Sequence, residues 1–131
     1  MTKPGTTYSA VIGSVIKKLR ESRSIKQGQM AEKMGVSQAA WSKLEGGIST
    51  LTTAQVAKVA DIFGIKTSQL VQYADQVVED LKENNIVVSY DYKEAKNMGL
   101  MLLGAAAIGA LVTAIIGSNP IKVEKRPLKK R

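Results

Sequence analysis

Apolar residues recur at helical spacing through most of the first eighty positions. Between Tyr8 and Ser22, the residues Val11, Ile12, Val15, Ile16 and Leu19 fall on one side, with Lys17, Lys18, Arg20 and Arg23 on the outer side or at the end. This predicts a first helix whose late basic residues suit its C-terminus or a phosphate. A second helix is predicted over 27–34, burying Met30 and Ala31, and a fourth over 53–63, with Val56, Ala57, Val59, Ala60 and Phe63 apolar and Gly64 ending it. Thr67 or Ser68 caps a fifth, along which Leu70, Ala74, Val77 and Leu81 repeat at spacings of 4, 3 and 4. That heptad-like seam either packs inside the monomer or meets a second copy. Asn84-Asn85 breaks the helix, and Ile86 to Tyr92 then alternates, with Ile86, Val88, Tyr90 and Tyr92 on one face. A lone strand leaves its hydrogen bonds unpaired, so this segment is either completed by a symmetry mate or an extended linker.

The third helix follows the turn Gly35-Val36-Ser37. Gly35 takes a positive φ without steric cost, Val36 plugs the turn into the core, and Ser37 is a good N-cap. At about 100° per residue, Ala40, Trp41 and Leu44 share one arc and Gln38, Ala39, Ser42, Lys43 and Glu45 the other. The small polar face fits a major groove, with Gln38 able to bond adenine N6 and N7 bidentately and Trp41 packing inward.

With Ile16, Leu19-Arg20, Gln27, Met30-Ala31, Gly35-Val36-Ser37-Gln38, Ser42-Lys43-Leu44-Glu45 and Gly47 in place, residues 10–70 resemble the DNA-binding domain of lambda-repressor and Cro-like regulators of the xenobiotic-response-element type. The resemblance implies a compact five-helix bundle that binds double-stranded DNA. It sets Gln27 against a phosphate and Gln38 against a base, with Ser37, Ala39, Ser42 and Lys43 completing the DNA-binding set. It also pairs Arg20 with Glu45 as a structural salt bridge. Two positions depart from the pattern: Lys26 replaces a Ser or Thr cap, and Gly46 replaces a commonly basic residue. Gly28, inside the second helix, costs about 1 kcal/mol relative to Ala.

Residues 98–117, MGLMLLGAAAIGALVTAIIG, carry no charge and as one helix would span a bilayer core of roughly 30 Å. Small residues repeat every fourth position in Ala105, Gly109, Thr113 and Gly117, as where helices approach closely. Pro120 ends the run, and a tail with Lys122, Lys125, Arg126, Lys129, Lys130 and Arg131 follows. Placing six cations outside contradicts the positive-inside tendency, so the run is read either as a membrane helix or as a buried helical hairpin or oligomer-forming helix.

The fold expected is therefore all-α: a five-helix lambda-repressor-like helix-turn-helix domain, a short extended segment and a long apolar C-terminal helix. The divisions are a flexible N-terminus (1–9), the DNA-binding domain (10–83), a linker or short strand (84–97), the apolar helix (98–118) and the basic tail (119–131). Leu70, Val77, Leu81, Gly109 and Gly117 are its candidate oligomer or membrane contacts.

Charge sharpens this picture. The net charge of +8 is uneven: residues 1–50 hold eight Lys or Arg against three acids, 51–97 five against seven, and 98–131 six against one. Positive charge on the helix-turn-helix attracts phosphates. With neither Cys nor His, the chain has no disulfide framework, His-based triad or His/Cys zinc site, and no cofactor is expected. Glu79, Asp80 and Glu83 read as a solvated face rather than catalytic acids. The lead-in MTKPGTT shows no signal-peptide pattern. The expectation is thus a non-enzymatic, sequence-specific transcriptional regulator, dimeric or a higher oligomer, cytoplasmic or held at the inner membrane. The alternative is an interaction protein that uses the helix-turn-helix as a protein-binding platform and assembles through 98–117.

Overall fold

The computed structural model describes residues 3–118. Its element order is β1 (Pro4–Thr7), α1 (Tyr8–Ser22), α2 (Gln27–Met34), α3 (Gln38–Glu45), α4 (Thr53–Phe63), α5 (Thr67–Glu83), β2 (Val87–Ser89), α6 (Tyr92–Asn97), β3 (Met101–Leu102) and α7 (Ala105–Ser118). The basic tail expected over 119–131 lies outside the described residues.

Local chemistry sets the helix ends. Thr7 Oγ1 accepts from the Ala10 amide to start α1, Ser37 Oγ accepts from Ala40 to start α3, and Thr52 and Gln55 cap each other's backbone at α4. At α2 and α5 the cap positions are Lys26 and Lys66, whose backbone N–H groups donate to Gln29 and Gln69 at 2.8 Å. A glutamine three residues on thus replaces half of the missing cap, and Lys66 stands one position before the cap expected at Thr67. Gly35 closes α2 at φ 72°, in the left-handed region that costs glycine nothing.

Helices α1 to α5 enclose a core in which Val11, Val15, Ile16, Met30, Trp41, Val59, Leu70, Val77 and Leu81 are fully or almost fully buried. Leu70, Val77 and Leu81, the seam considered for a second copy, are occupied by the monomer's own packing. Gly13 lets α1 lie against the end of α3: a Cβ there would sit 2.4 Å from the Glu45 carbonyl oxygen.

Two features correct the all-α expectation. The first is a three-stranded parallel sheet in the order β2-β1-β3. The strand pattern after Asn85 finds its partner in the N-terminal lead-in, a segment expected to be flexible. Gly5, Thr6 and Thr7 pair with Val87, Val88 and Ser89, and are buried between two neighbours. Pro4 stands at the first strand position, where a missing N–H is tolerated.

The second correction concerns 98–117, which is not one long apolar helix. Gly99 adopts φ 67° after α6, and Met101 and Leu103 donate to the Lys3 and Gly5 carbonyls, making β3. Thr6 Oγ1 also donates to the Leu103 carbonyl at 2.6 Å. The backbone groups of 101–103 therefore belong to a sheet. What remains, α7, has 14 residues and a length of roughly 21 Å, short of a bilayer core. Among the described residues, no helix is long and apolar enough to cross a membrane. The apolar character of α7 is instead spent inside the protein: Ile108, Val112 and Ile115 are buried in the common core, on α1 and α5.

Candidate nucleic-acid interface

The α2–turn–α3 unit presents one helix face outward and fixes the other. Gln38, Ala39, Ser42 and Lys43 of α3 are exposed, while Trp41, Leu44 and Glu45 are buried. Periodicity put Glu45 on the polar face, and Arg20 on the outer side of α1. Both are buried because they meet: Arg20 Nε donates to Glu45 Oε2 at 2.6 Å and Nη2 to Oε1 at 3.1 Å. Two further donors converge on the same carboxylate, Trp41 Nε1 at 2.6 Å and Gln27 Nε2 at 3.3 Å, and Arg20 Nη1 donates to the Ile25 carbonyl at 2.7 Å. A buried charge is tolerable only when paired and hydrogen-bonded, and here both are. The network ties α1, the start of α2 and the end of α3 together, so the exposed face of α3 is held on a rigid mount.

Gln27 is half-buried, and its amide is engaged with Glu45 rather than standing clear of the surface. Ser37 is exposed, its hydroxyl oxygen serving the cap of α3. Gln38 leans over α2: a Cβ built at Gly28 would lie 3.3 Å from its Oε1. The glycine that weakens α2 thus leaves room for the Gln38 side chain. Exposed Lys26, Lys33 and Lys43 supply positive charge from α2 and α3. Arg23 is committed elsewhere. It donates to the Phe63 and Leu19 carbonyls, lies 4.9 Å from the Phe63 ring centroid, and has its pKa lowered by burial, with Tyr73 opposing.

Two features of this region escaped sequence reasoning. The indole N–H bond to Glu45 was hidden because an (i, i+4) Trp-Glu pair looks like one core and one surface residue. Gly28 did carry a signal, being costly in a helix, but its use depends on where Gln38 points.

Residues 11–71, which include the whole of this unit, match the family model of a helix-turn-helix domain. Residues 11–71 thus form a helix-turn-helix domain. It is 30% identical over 114 residues to a protein of Methanosphaerula palustris named, provisionally, an HTH-type transcriptional regulatory protein. The aligned part covers 84% of the chain and 37% of that relative, so the chain spans little more than a third of the relative's length. Residues 56–131 also match a family model described as an anticodon binding domain. That match overlaps the helix-turn-helix match over 56–71 and takes in β2 and β3, but not β1, the strand that joins them. No solved structure matches the chain.

The candidate assembly contacts of this helix-turn-helix protein are dispersed. Leu70, Val77 and Leu81 are inside the core, Gly109 is half-buried with Lys18 Cε 3.9 Å from where its Cβ would be, and Gly117 is exposed.

Proposed function

We propose that this chain is a sequence-specific double-stranded DNA-binding transcriptional regulator, acting in the cytoplasm as a homo-oligomer. The observation that carries the reading is the division of α3 into an exposed face of Gln38, Ala39, Ser42 and Lys43 and a face locked by Trp41, Leu44 and Glu45. A rigid helix with a small polar face can enter a major groove, where Gln38 reads an adenine edge and Ser42 a base or phosphate. Lys43, with Lys26 and Lys33, neutralises backbone charge. Gln27 reaches a phosphate through the part of its amide not given to Glu45. Two copies would place two such helices one turn apart on a symmetric operator. The second copy is assigned to the exposed small-residue side of α7, including Ala106, Ala110 and Gly117, because the α5 seam is already filled.

The test is selection of a preferred duplex from a random pool, followed by binding over a salt series with Gln38→Ala and Lys43→Ala. Gln38→Ala should cost about 1–3 kcal/mol on the selected site and relax preference at one base, and Lys43→Ala should lower the salt slope by about 1. No enrichment, a flat salt response or full affinity in the double variant would overturn the reading. An anticodon stem-loop RNA as competitor examines the second family match: displacement of DNA by equimolar RNA would favour an RNA-binding role.

A further inference from the structure

A cavity of about 450 Å³ opens where four parts of the chain meet: the start of α1, the turn that follows α3, the start of α6, and the segment from β3 into α7. It is lined by Thr7 and Ala10, by Gly46 to Ile48, and by Tyr92 with Leu102 to Gly104. None of its lining residues is acidic or basic. Ile48 and Tyr92 stand at 81% and 64% exposure, unusually high for large apolar side chains with a hollow between them. A second cavity of about 330 Å³ shares Thr7, Gly47, Ile48 and Tyr92 and continues the cleft toward Tyr90 and Asp91.

We infer that this cleft is a binding site for an uncharged, mainly apolar small molecule of aromatic character. Its volume falls within the range of about 300–1,000 Å³ typical of small-molecule sites, and its polar groups are few. The Tyr92 ring offers an aromatic face and its hydroxyl a single hydrogen-bonding tip. Charge decides against other occupants. Nucleic acid would need cations in the wall, and the chain's own segment 119–131, with six Lys or Arg, would need a cluster of carboxylates; the described lining holds no cation and, only in the adjoining cavity, the single carboxylate of Asp91. A molecule seated there touches Gly46, the residue that caps α3, so occupancy is felt at the end of the helix assigned to DNA. The site itself does not depend on that assignment.

The probe is N-phenyl-1-naphthylamine, an uncharged dye that brightens in apolar surroundings, titrated into the full chain without DNA. Saturable one-to-one binding is expected. Gly104→Phe should weaken it by roughly tenfold or more, about 1.4 kcal/mol. A Cβ at Gly104 meets nothing within 4 Å among the described residues, and its backbone is not in the left-handed region, so a ring at this lining position is accommodated without forcing the fold. Tyr92→Ala, which changes an exposed side chain, should weaken binding as well, and decides the matter if Gly104→Phe proves unfolded by circular dichroism. A non-saturating rise in emission, or unchanged affinity in a folded Gly104→Phe and in Tyr92→Ala, would overturn the inference. Since no duplex is present, failure here leaves the DNA reading standing, and failure to bind DNA leaves this one standing.

Discussion

Glu45 is the residue through which the exposed face of α3 is mounted. Four donor contacts from Arg20, Trp41 and Gln27 reach its two oxygens, none of them through water-exposed side chains alone. Replacing a buried ion pair as a whole can be neutral, whereas removing one partner leaves an uncompensated charge. Glu45→Gln keeps the volume and removes the charge, stranding the Arg20 guanidinium. It should lower unfolding free energy by about 3–5 kcal/mol, read from urea denaturation. The paired change Arg20→Met with Glu45→Gln should recover part of that loss, because the stranded cation is gone. A single variant that unfolds at the wild-type midpoint would show that the network contributes nothing to the fold.

Among the elements, α7 shows how far sequence reasoning carries and where it stops. The helices over 8–22, 27–34 and 53–63 follow from apolar spacing and from stop residues such as Gly35 and Gly64, which act locally. The contact of Arg20 with Glu45 entered through the family pattern, since periodicity alone placed both outward. The segment after Asn85 was opaque because its partners are remote: β2 and β3 are completed by Pro4–Thr7, more than eighty residues away, and no local pattern marks a parallel pairing. An uncharged run of twenty residues has the same composition whether lipid or protein surrounds it. What distinguishes the two here is Gly99 with its positive φ, and the receptive carbonyls of Lys3 and Gly5. Since Ile108 is 3% exposed and belongs to the common core, Ile108→Ala should destabilise the whole protein by about 2–5 kcal/mol in one transition. Two separate unfolding steps, with only the weaker one shifted, would show that α7 is an appendage.

On the scale of the molecule, the chain folds back on its own beginning. β1 is clasped by strands from the C-terminal half, α7 lies on α1, and the junction between β1 and α1 is marked by Tyr8. The Tyr8 ring sits 5.5 Å from that of Tyr90, beyond β2, and Asp75 of α5 acts on it electrostatically. Burial, then Asp75, then Tyr90 push the Tyr8 phenol above its ordinary value of 10.0. All three disfavour the phenolate, so in the folded state Tyr8 holds its proton at pH values where the unfolded chain releases it. Over that window the native state binds more protons, and stability falls as pH rises. The contribution is therefore complete below about pH 10 and is lost progressively above it. Tyr8→Phe cannot ionise. Its melting temperature should fall less than that of the wild type between pH 9 and pH 11, whereas lysine titration affects both proteins alike. Equal losses in the two would mean that the clasp around β1 does not shield the Tyr8 hydroxyl, and that the two halves of the chain meet less closely at that corner.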